Sequence, residues 1–599
     1  MSERIGVVRR GITKSFDVMQ QPKFTLKIIL LTAFLCLPGL FCDMAGDDYW
    51  FYGVFNGGIP IEDAHSASFE YFSIYDGQPS RTQSMVEMGM TPWWVYEGYK
   101  VMFWRPLTEL THWVDFVLWP KHGGIMHFHN LLWYLALIAV LSLLYKSTMT
   151  TRIAIGVALL AYAFDSGHGN NVGWIAARNG VVATFFGVLT LVAHIHSREN
   201  NHLLAKLLAP FFLVLALLAG EYGIAVGAYL FAYAVCLDKE GPVKGFVALL
   251  KYAVVVIVWW LSYQHFGYGE GHIGGGGSYI DPVTRPLDFI DALAFRLPLM
   301  LGRAWGFVPP EFVAGNTSPL FIFNGLVICG FLIAIWPLLK REKVARFWLV
   351  GTVLSALPIC AAPPSARMFL FVSIGSCALI GMFLHEYFGD GKKTGKSKLI
   401  VKMVAGMLVL FHFVLEPLLL PLSVYAPQLS GDMHRKSLFS LSSQYELEGK
   451  RVVLINSPPG FNFFIPSMLL YHDSDLPKSI WMLTSDYAVK ENEVTFEVLD
   501  NHRVSAELQN GFIRGEYEKT FRNLDEYPLL AGDTIVFSGF TVEVKSVTED
   551  GHPKKVVYHF EQSIDHEDYL FFEWTREGYQ RFELPRIGET RVLMDKPPV

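Results

Sequence analysis

Between Phe24 and residue 422 the chain repeats apolar runs of roughly 17 to 25 residues, the length that crosses a bilayer as a helix. Such repetition constrains the fold more than any motif does. Each run satisfies its backbone polar groups within its own helix, and a bundle of such helices needs lipid around it. The runs fall near 24–43, 126–145, 153–168, 179–196, 203–219, 222–237, 246–264, 318–339, 347–362, 368–386 and 399–422, about eleven in all. Composition agrees: 52% of residues are hydrophobic and only 17% charged, against about 25% charged in an average soluble protein. A net charge of -6 over 599 residues gives no basic surface for a nucleic-acid partner.

The expected class is therefore a mainly α, integral membrane protein. Basic residues set its orientation. The N-terminal segment carries Arg4, Arg9, Arg10 and Lys14, and alternate short loops carry Lys146 and Arg152; Arg198 and Lys206; Lys239 and Lys244; Lys340, Arg341, Lys343 and Arg346; and Lys392, Lys393, Lys396 and Lys398. This places the N-terminal tail, 1–23, in the cytoplasm. The first run is long and no small-residue cleavage site is clear near Cys42, so it is read as an uncleaved helix.

The membrane region is expected over 24–423, with two large outer loops at 44–125 and 265–317. From 424 to 599 the pattern changes. "RVVLINSP", "EVTFEVLD", "DTIVFSGFTVEVKSV" and "KKVVYHFEQ" alternate at strand period, so a β-rich, water-facing domain is expected on the outer side. The six cysteines lie in or beside apolar runs without metal-ligand spacing. Asn316-Thr317-Ser318 matches a glycosylation sequon, a short motif common by chance.

Polar and charged residues collect at the helix ends and loops assigned to the outer side. Asp47 and Asp48 follow the first run in "GDDYW". An acidic pair can cap a helix; it can also serve as general base or hold a divalent cation such as Mg or Mn. Trp50 beside it suits either an interfacial belt or stacking on a sugar ring. In "FWRPLTELTHW", Pro106 fits a first helical turn, which puts Arg105 at a helix N-terminus, a place suited to a phosphate. His127 and Asn130 in "HFHNLLWYL" share a helix face, with His129 off it. "DSGHGNNVGWIAARNG" is a polar turn with Asp165, His168, Asn170, Asn171 and Arg178, and Arg367 opens the tenth run in "PPSARMFLFVSIG". "GYGEGHIGGGGSY", 267–279, reads as a mobile loop or a linker rather than a nucleotide-binding loop, because no strand precedes it.

Taken in order, "GDDYW", "WRPLT", "HFHNLLWYL", "HGNNVGWIAARNG", "LLAGEYGIAV" and "SARMFLFVSIG" resemble the GT-C superfamily of polytopic glycosyltransferases. The likeness is strongest to the O-mannosyltransferase-like proteins that often carry tetratricopeptide repeats, and it spans roughly residues 25–385. It implies a GT-C-like bundle, a polyprenyl-phosphate sugar donor, a protein, glycan or lipid acceptor, and inversion at the sugar carbon. It implies a catalytic acid at Asp47 or Asp48. Arg105, Arg178, Arg367, His129 and Asn130 are then candidates for the donor phosphate, and His127, His168, Asn170, Glu221 and Trp50 for substrate. The implied setting is a bacterial inner membrane with the C-terminal domain in the periplasm. The chain departs from the family at Gly220, where a lysine is common, at Asn179, where an acid is common, and in having no tetratricopeptide repeats. A lipid or solute transporter, or a non-catalytic assembly protein, is the alternative. A transporter would place its charges near mid-membrane.

Overall fold

The computed structural model describes residues 23–61, 70–271, 279–306, 308–313, 318–389, 399–442, 445–485 and 493–593. The N-terminal basic residues up to Lys14, most of the glycine-rich 267–279 segment, Asn316 and Thr317 of the sequon, and Lys392, Lys393, Lys396 and Lys398 lie outside the described residues. Seven described helices are long and apolar enough to cross a membrane. Shorter apolar helices occupy Arg152–Ala163, Leu203–Ala219 and Glu221–Cys236, and Lys343–Ile359 covers the remaining expected run. The protein is a mainly α, integral membrane protein with a β-rich part.

The chain divides into two compact units, one of 1–44, 104–267 and 280–428, the other of 45–103, 268–279 and 429–599. These limits differ from the boundary expected at 424. The first unit is the helical one. Its centre is helix Leu370–Phe388, whose Leu370, Phe371, Ile374 and Cys377 are all buried. Small residues let neighbours approach it closely. A Cβ at Gly375 would meet the Trp348 carbonyl oxygen at 2.7 Å. Tyrosines on surrounding helices donate to its carbonyls: Tyr145 to Ile374 at 2.7 Å, Tyr162 to Leu370 at 3.0 Å and Tyr229 to Phe371 at 2.7 Å. Helix Pro242–His265 is the opposite case, with Val254, Ile257 and Leu261 exposed as a lipid-facing helix requires.

The expected outer loops are not plain loops. The first contains helices Asp47–Asn56, Pro79–Glu87 and Pro106–Leu118, and the second contains helix Pro286–Trp305. Nor does the last helix stop near 422. After Leu399–Leu410 it takes one π-helical turn, Phe411–Leu415, and runs on as Glu416–Ser442.

Among the described residues the second unit carries thirteen strands, of which β1 (Ser73–Asp76), β2 (Lys100–Met102) and β3 (Gly269–Gly271) form one antiparallel sheet. The others are β4 (Arg451–Ser457), β5 (Ser479–Ser485), β6 (Val494–Asp500), β7 (Arg503–Leu508), β8 (Thr534–Phe537), β9 (Phe540–Val547), β10 (Pro553–Phe560), β11 (Tyr569–Thr575), β12 (Gly578–Arg581) and β13 (Thr590–Leu593). They make a six-stranded sheet, β13-β6-β7-β10-β9-β8, and a four-stranded one, β12-β11-β4-β5. Alternation appears where one sheet face is solvated, as in β9, Phe540–Val547, whose Phe540, Val542 and Val544 are buried. β4 and β5 are buried along their whole length, and the pairs β11–β4 and β4–β5 are parallel, so the in–out alternation expected for "RVVLINSP" is absent from β4.

Segment 45–103 is built into this unit. The Trp93 indole donates to the Leu483 carbonyl at 3.0 Å, and the Tyr96 ring stacks on Tyr527 at 3.8 Å. The Asn462 amide reaches the Gly89 carbonyl at 2.5 Å.

Candidate functional site

The acidic pair belongs to the second unit. Gly46, at φ +56, turns the chain so that Asp47 and Asp48 open helix Asp47–Asn56. Carboxylates in a first helical turn meet unpaired backbone N–H groups and the positive end of the helix dipole. Asp48 is buried and accepts from the Ala45 N–H at 3.0 Å. Asp47 is half-buried and the more accessible of the two. Trp50, expected at a substrate, is in the core: it is fully buried, donates to the Tyr71 carbonyl at 2.9 Å, and packs against Phe463. Tyr49 accepts from Arg435 at 3.3 Å. Among the described residues, no three His, Cys, Asp or Glu side chains gather as a metal-ligand group.

The other candidates belong to the first unit, where the fold sorts them into clusters. In the first, Arg178 is fully buried. Its guanidinium pairs with Asp115 of helix Pro106–Leu118, donates to the Asn130 side chain, and reaches the Thr111 carbonyl at 3.1 Å. His129 lies 2.7 Å from the same Asp115 carboxylate through Nδ1, and its Nε2 accepts from the Trp133 indole at 3.1 Å. Asn130 also donates to the Trp174 carbonyl at 3.0 Å. Arg178, His129 and Asn130, all expected at a donor phosphate, thus close on one another and on Asp115, which the sequence did not single out.

In the second cluster Arg105 is the N-cap residue of helix Pro106–Leu118, the position expected from Pro106. Its Nε is 2.8 Å from Glu221, which Tyr263 also approaches at 3.3 Å. Thr108 ties the same helix to the Ala219 carbonyl at 2.7 Å. The ion pair keeps some solvent access: the Arg105 side chain is 12% exposed and that of Glu221 26%.

The third cluster surrounds the polar turn at 165–177. His168 is fully buried between Tyr134 (3.1 Å) and Ser373 (3.3 Å). Asn170 is half-buried at the surface of the turn, and His127 is buried 3.2 Å from the Asp43 carbonyl. The Asn171 side chain donates to the Arg367 carbonyl at 2.7 Å. The Arg367 guanidinium lies over the Trp174 ring, 5.0 Å from its centroid. Arg105, Arg178 and Arg303 each pair with carboxylates, whereas Arg367 meets none among the described residues. Arg303 and its partners Asp165 and Glu416 are buried. Nothing local in the sequence marks Arg303, which falls in the expected outer loop 265–317, or Glu416, beyond its being an ionisable residue inside an apolar run.

Neither a protein-family model nor a curated protein matches the chain. Solved structures do. The oligosaccharyltransferase of Archaeoglobus fulgidus, tethered to an acceptor peptide, is 13% identical at a TM-score of 0.40, over 78% of this chain and 64% of its own. The chain thus spans less than two thirds of that protein. ArnT from Cupriavidus metallidurans, bound to undecaprenyl phosphate, is 12% identical at a TM-score of 0.39, over 89% of this chain and 97% of its own. The mycobacterial arabinofuranosyltransferase AftD is 10% identical at a TM-score of 0.36, over 90% of this chain and 41% of its own.

Proposed function

We propose that the protein is a membrane glycosyltransferase that moves a sugar from a polyprenyl-phosphate-linked donor to a protein, glycan or lipid acceptor on the outer face of the membrane. The observation that carries this reading is Arg367. A half-buried guanidinium at the start of a membrane helix, held on an indole and unmatched by a carboxylate among the described residues, is a cation available to an anionic headgroup. Arg105, partly exposed beside Glu221, supplies a second.

In this reading Asp47 or Asp48 takes the proton of the acceptor hydroxyl. The oxygen attacks the anomeric carbon from the face opposite the phosphate. The bond from that carbon to the phosphate oxygen breaks, the carbon inverts, and polyprenyl phosphate leaves, its charge balanced by Arg367 and Arg105. The burial of Arg178 with Asp115 gives it a supporting part in place of direct contact. A divalent cation at the acidic pair would draw most of its oxygen ligands from water and the donor.

A transporter reading gains from one observation, the buried Asp165–Arg303–Glu416 group, because ionisable residues within a membrane region often line a path. These three are closed on one another, which favours a structural part. The test is transfer of radiolabel from a polyprenyl-phosphate sugar in isolated membranes. Arg367→Gln is expected to raise the donor KM about tenfold with a smaller change in kcat, the size of one lost charge-assisted hydrogen bond. An unchanged donor KM would remove Arg367 from the site.

A further inference from the structure

Two carboxylates and one guanidinium are buried together in the first unit. Arg303 reaches Asp165 at 2.7 Å through Nη2 and Glu416 at 2.9 Å through Nη1, and none of the three side chains is more than 6% exposed. Buried ion pairs are a poor source of stability, because desolvation consumes much of the attraction. What they supply is fixed geometry. The excess negative charge is met by directed donors: the Ser166 N–H to Glu416 at 2.7 Å, the Gly167 N–H to Asp165 at 2.9 Å, and the Ser373 hydroxyl to Asp165 at 3.1 Å.

All of these contacts bear on the polar turn. Glu416 begins the helix that follows the π-helical turn, and that helix lies directly against the turn. Ser423 donates to the Ser166 carbonyl at 2.6 Å. Gly169 and Gly173 leave no room for a side chain: a Cβ at 169 would strike Ser423, and one at 173 the Val424 carbonyl. The turn in turn holds Arg367, with Asn171 on its carbonyl and Trp174 under its guanidinium. Gly167 packs against the Ala366 carbonyl, where a Cβ would sit at 3.1 Å, and the Arg303 guanidinium lies 5.8 Å from the Phe369 ring centroid.

We propose that Arg303, Asp165 and Glu416 are positioning residues for donor binding: by clamping the last membrane helix to the turn at 165–174, they fix Arg367 where it meets the lipid phosphate. The inference rests on the reading of Arg367 as a phosphate ligand, and the experiment separates the two.

Binding of undecaprenyl phosphate is measured on the purified full-length protein in detergent, for Arg367→Gln, Glu416→Gln and the double variant. Arg367→Gln is expected to raise Kd about tenfold. Glu416→Gln is expected to raise it several-fold, and the double variant no further than Arg367→Gln alone, since residues acting through one contact are not additive. Ser423→Ala leaves every charge in place and guards against misfolding. It is expected to raise Kd two- to threefold in the Arg367 background and not at all in the Arg367→Gln background. If Arg367→Gln raises Kd while Glu416→Gln and Ser423→Ala lower only the thermal midpoint, or add independently to the effect, the positioning role is wrong. If Arg367→Gln itself leaves Kd unchanged, the phosphate-ligand reading fails first and takes the positioning role with it.

Discussion

Among single residues, Arg178 shows most plainly what a sequence conceals. Its type and its place beside a polar turn mark it as a site candidate. Its partner Asp115 is 63 positions away and carries no spacing signal. The same holds for Glu221 opposite Arg105 and Glu416 opposite Arg303, each over a hundred positions apart. The sequence thus identifies His129, Asn130 and Arg178 as a polar group, and the structure brings them together. Which cations are neutralised from within is a property of the fold alone. Removing Asp115 leaves Arg178 as an uncompensated buried charge, which costs about 3–5 kcal/mol. Asp115→Leu is expected to lower the thermal midpoint in detergent sharply, and Asp115→Leu with Arg178→Met to recover much of it. A double variant no better than Asp115→Leu alone would show that the pair contributes nothing specific.

Whole elements were legible where hydrophobicity is continuous. All eleven apolar runs are helices, and Leu203–Ala219 has the limits expected. Helices Pro79–Glu87 and Pro286–Trp305 carry polar residues that interrupt the apolar run by which a membrane helix is recognised, and Asp47–Asn56 is too short to show one. Helix Phe461–Tyr471 follows the turn at "SPPG", where Gly460 at φ +78 leads directly into it. At this scale the approach of the last helix to the polar turn is testable. Gly173→Ala puts a methyl group on the Val424 carbonyl and is expected to destabilise the protein by about 1–3 kcal/mol, read as a lower thermal midpoint. The β9–β10 turn gives a second test. Arg514 and Thr548 hydrogen-bond the exposed Asp550 carboxylate and hold it below the usual carboxylate range. A carboxylate lowered on folding stabilises above its unfolded value of about 3.9, and that contribution fades as pH falls below it. Asp550→Asn is therefore expected to flatten the loss of stability between about pH 4 and pH 2, and an unchanged acid limb would count against the interaction.

For the molecule as a whole, the sequence separates a helical membrane region from a β-rich part at 424, whereas the compact units group 45–103 with 429–599. Residues 45–103 share no strand pattern with the C-terminal sheets, yet Trp93 and Trp94 are fully buried in the unit that contains those sheets. A fragment of 429–599 alone is expected to be protease-sensitive, and the same fragment joined to 45–103 resistant. Equal resistance would show that the C-terminal part folds without the earlier segment. The acidic pair sits in this second unit and the cationic candidates in the first. The central claim is sugar transfer with an aspartate as base. Its most direct test is radiolabel transfer from a polyprenyl-phosphate sugar in membranes holding equal amounts of wild type, Asp47→Asn and Asp48→Asn. A loss of about 10²–10⁴-fold in one variant is the result this account predicts, and equal transfer by all three would contradict it.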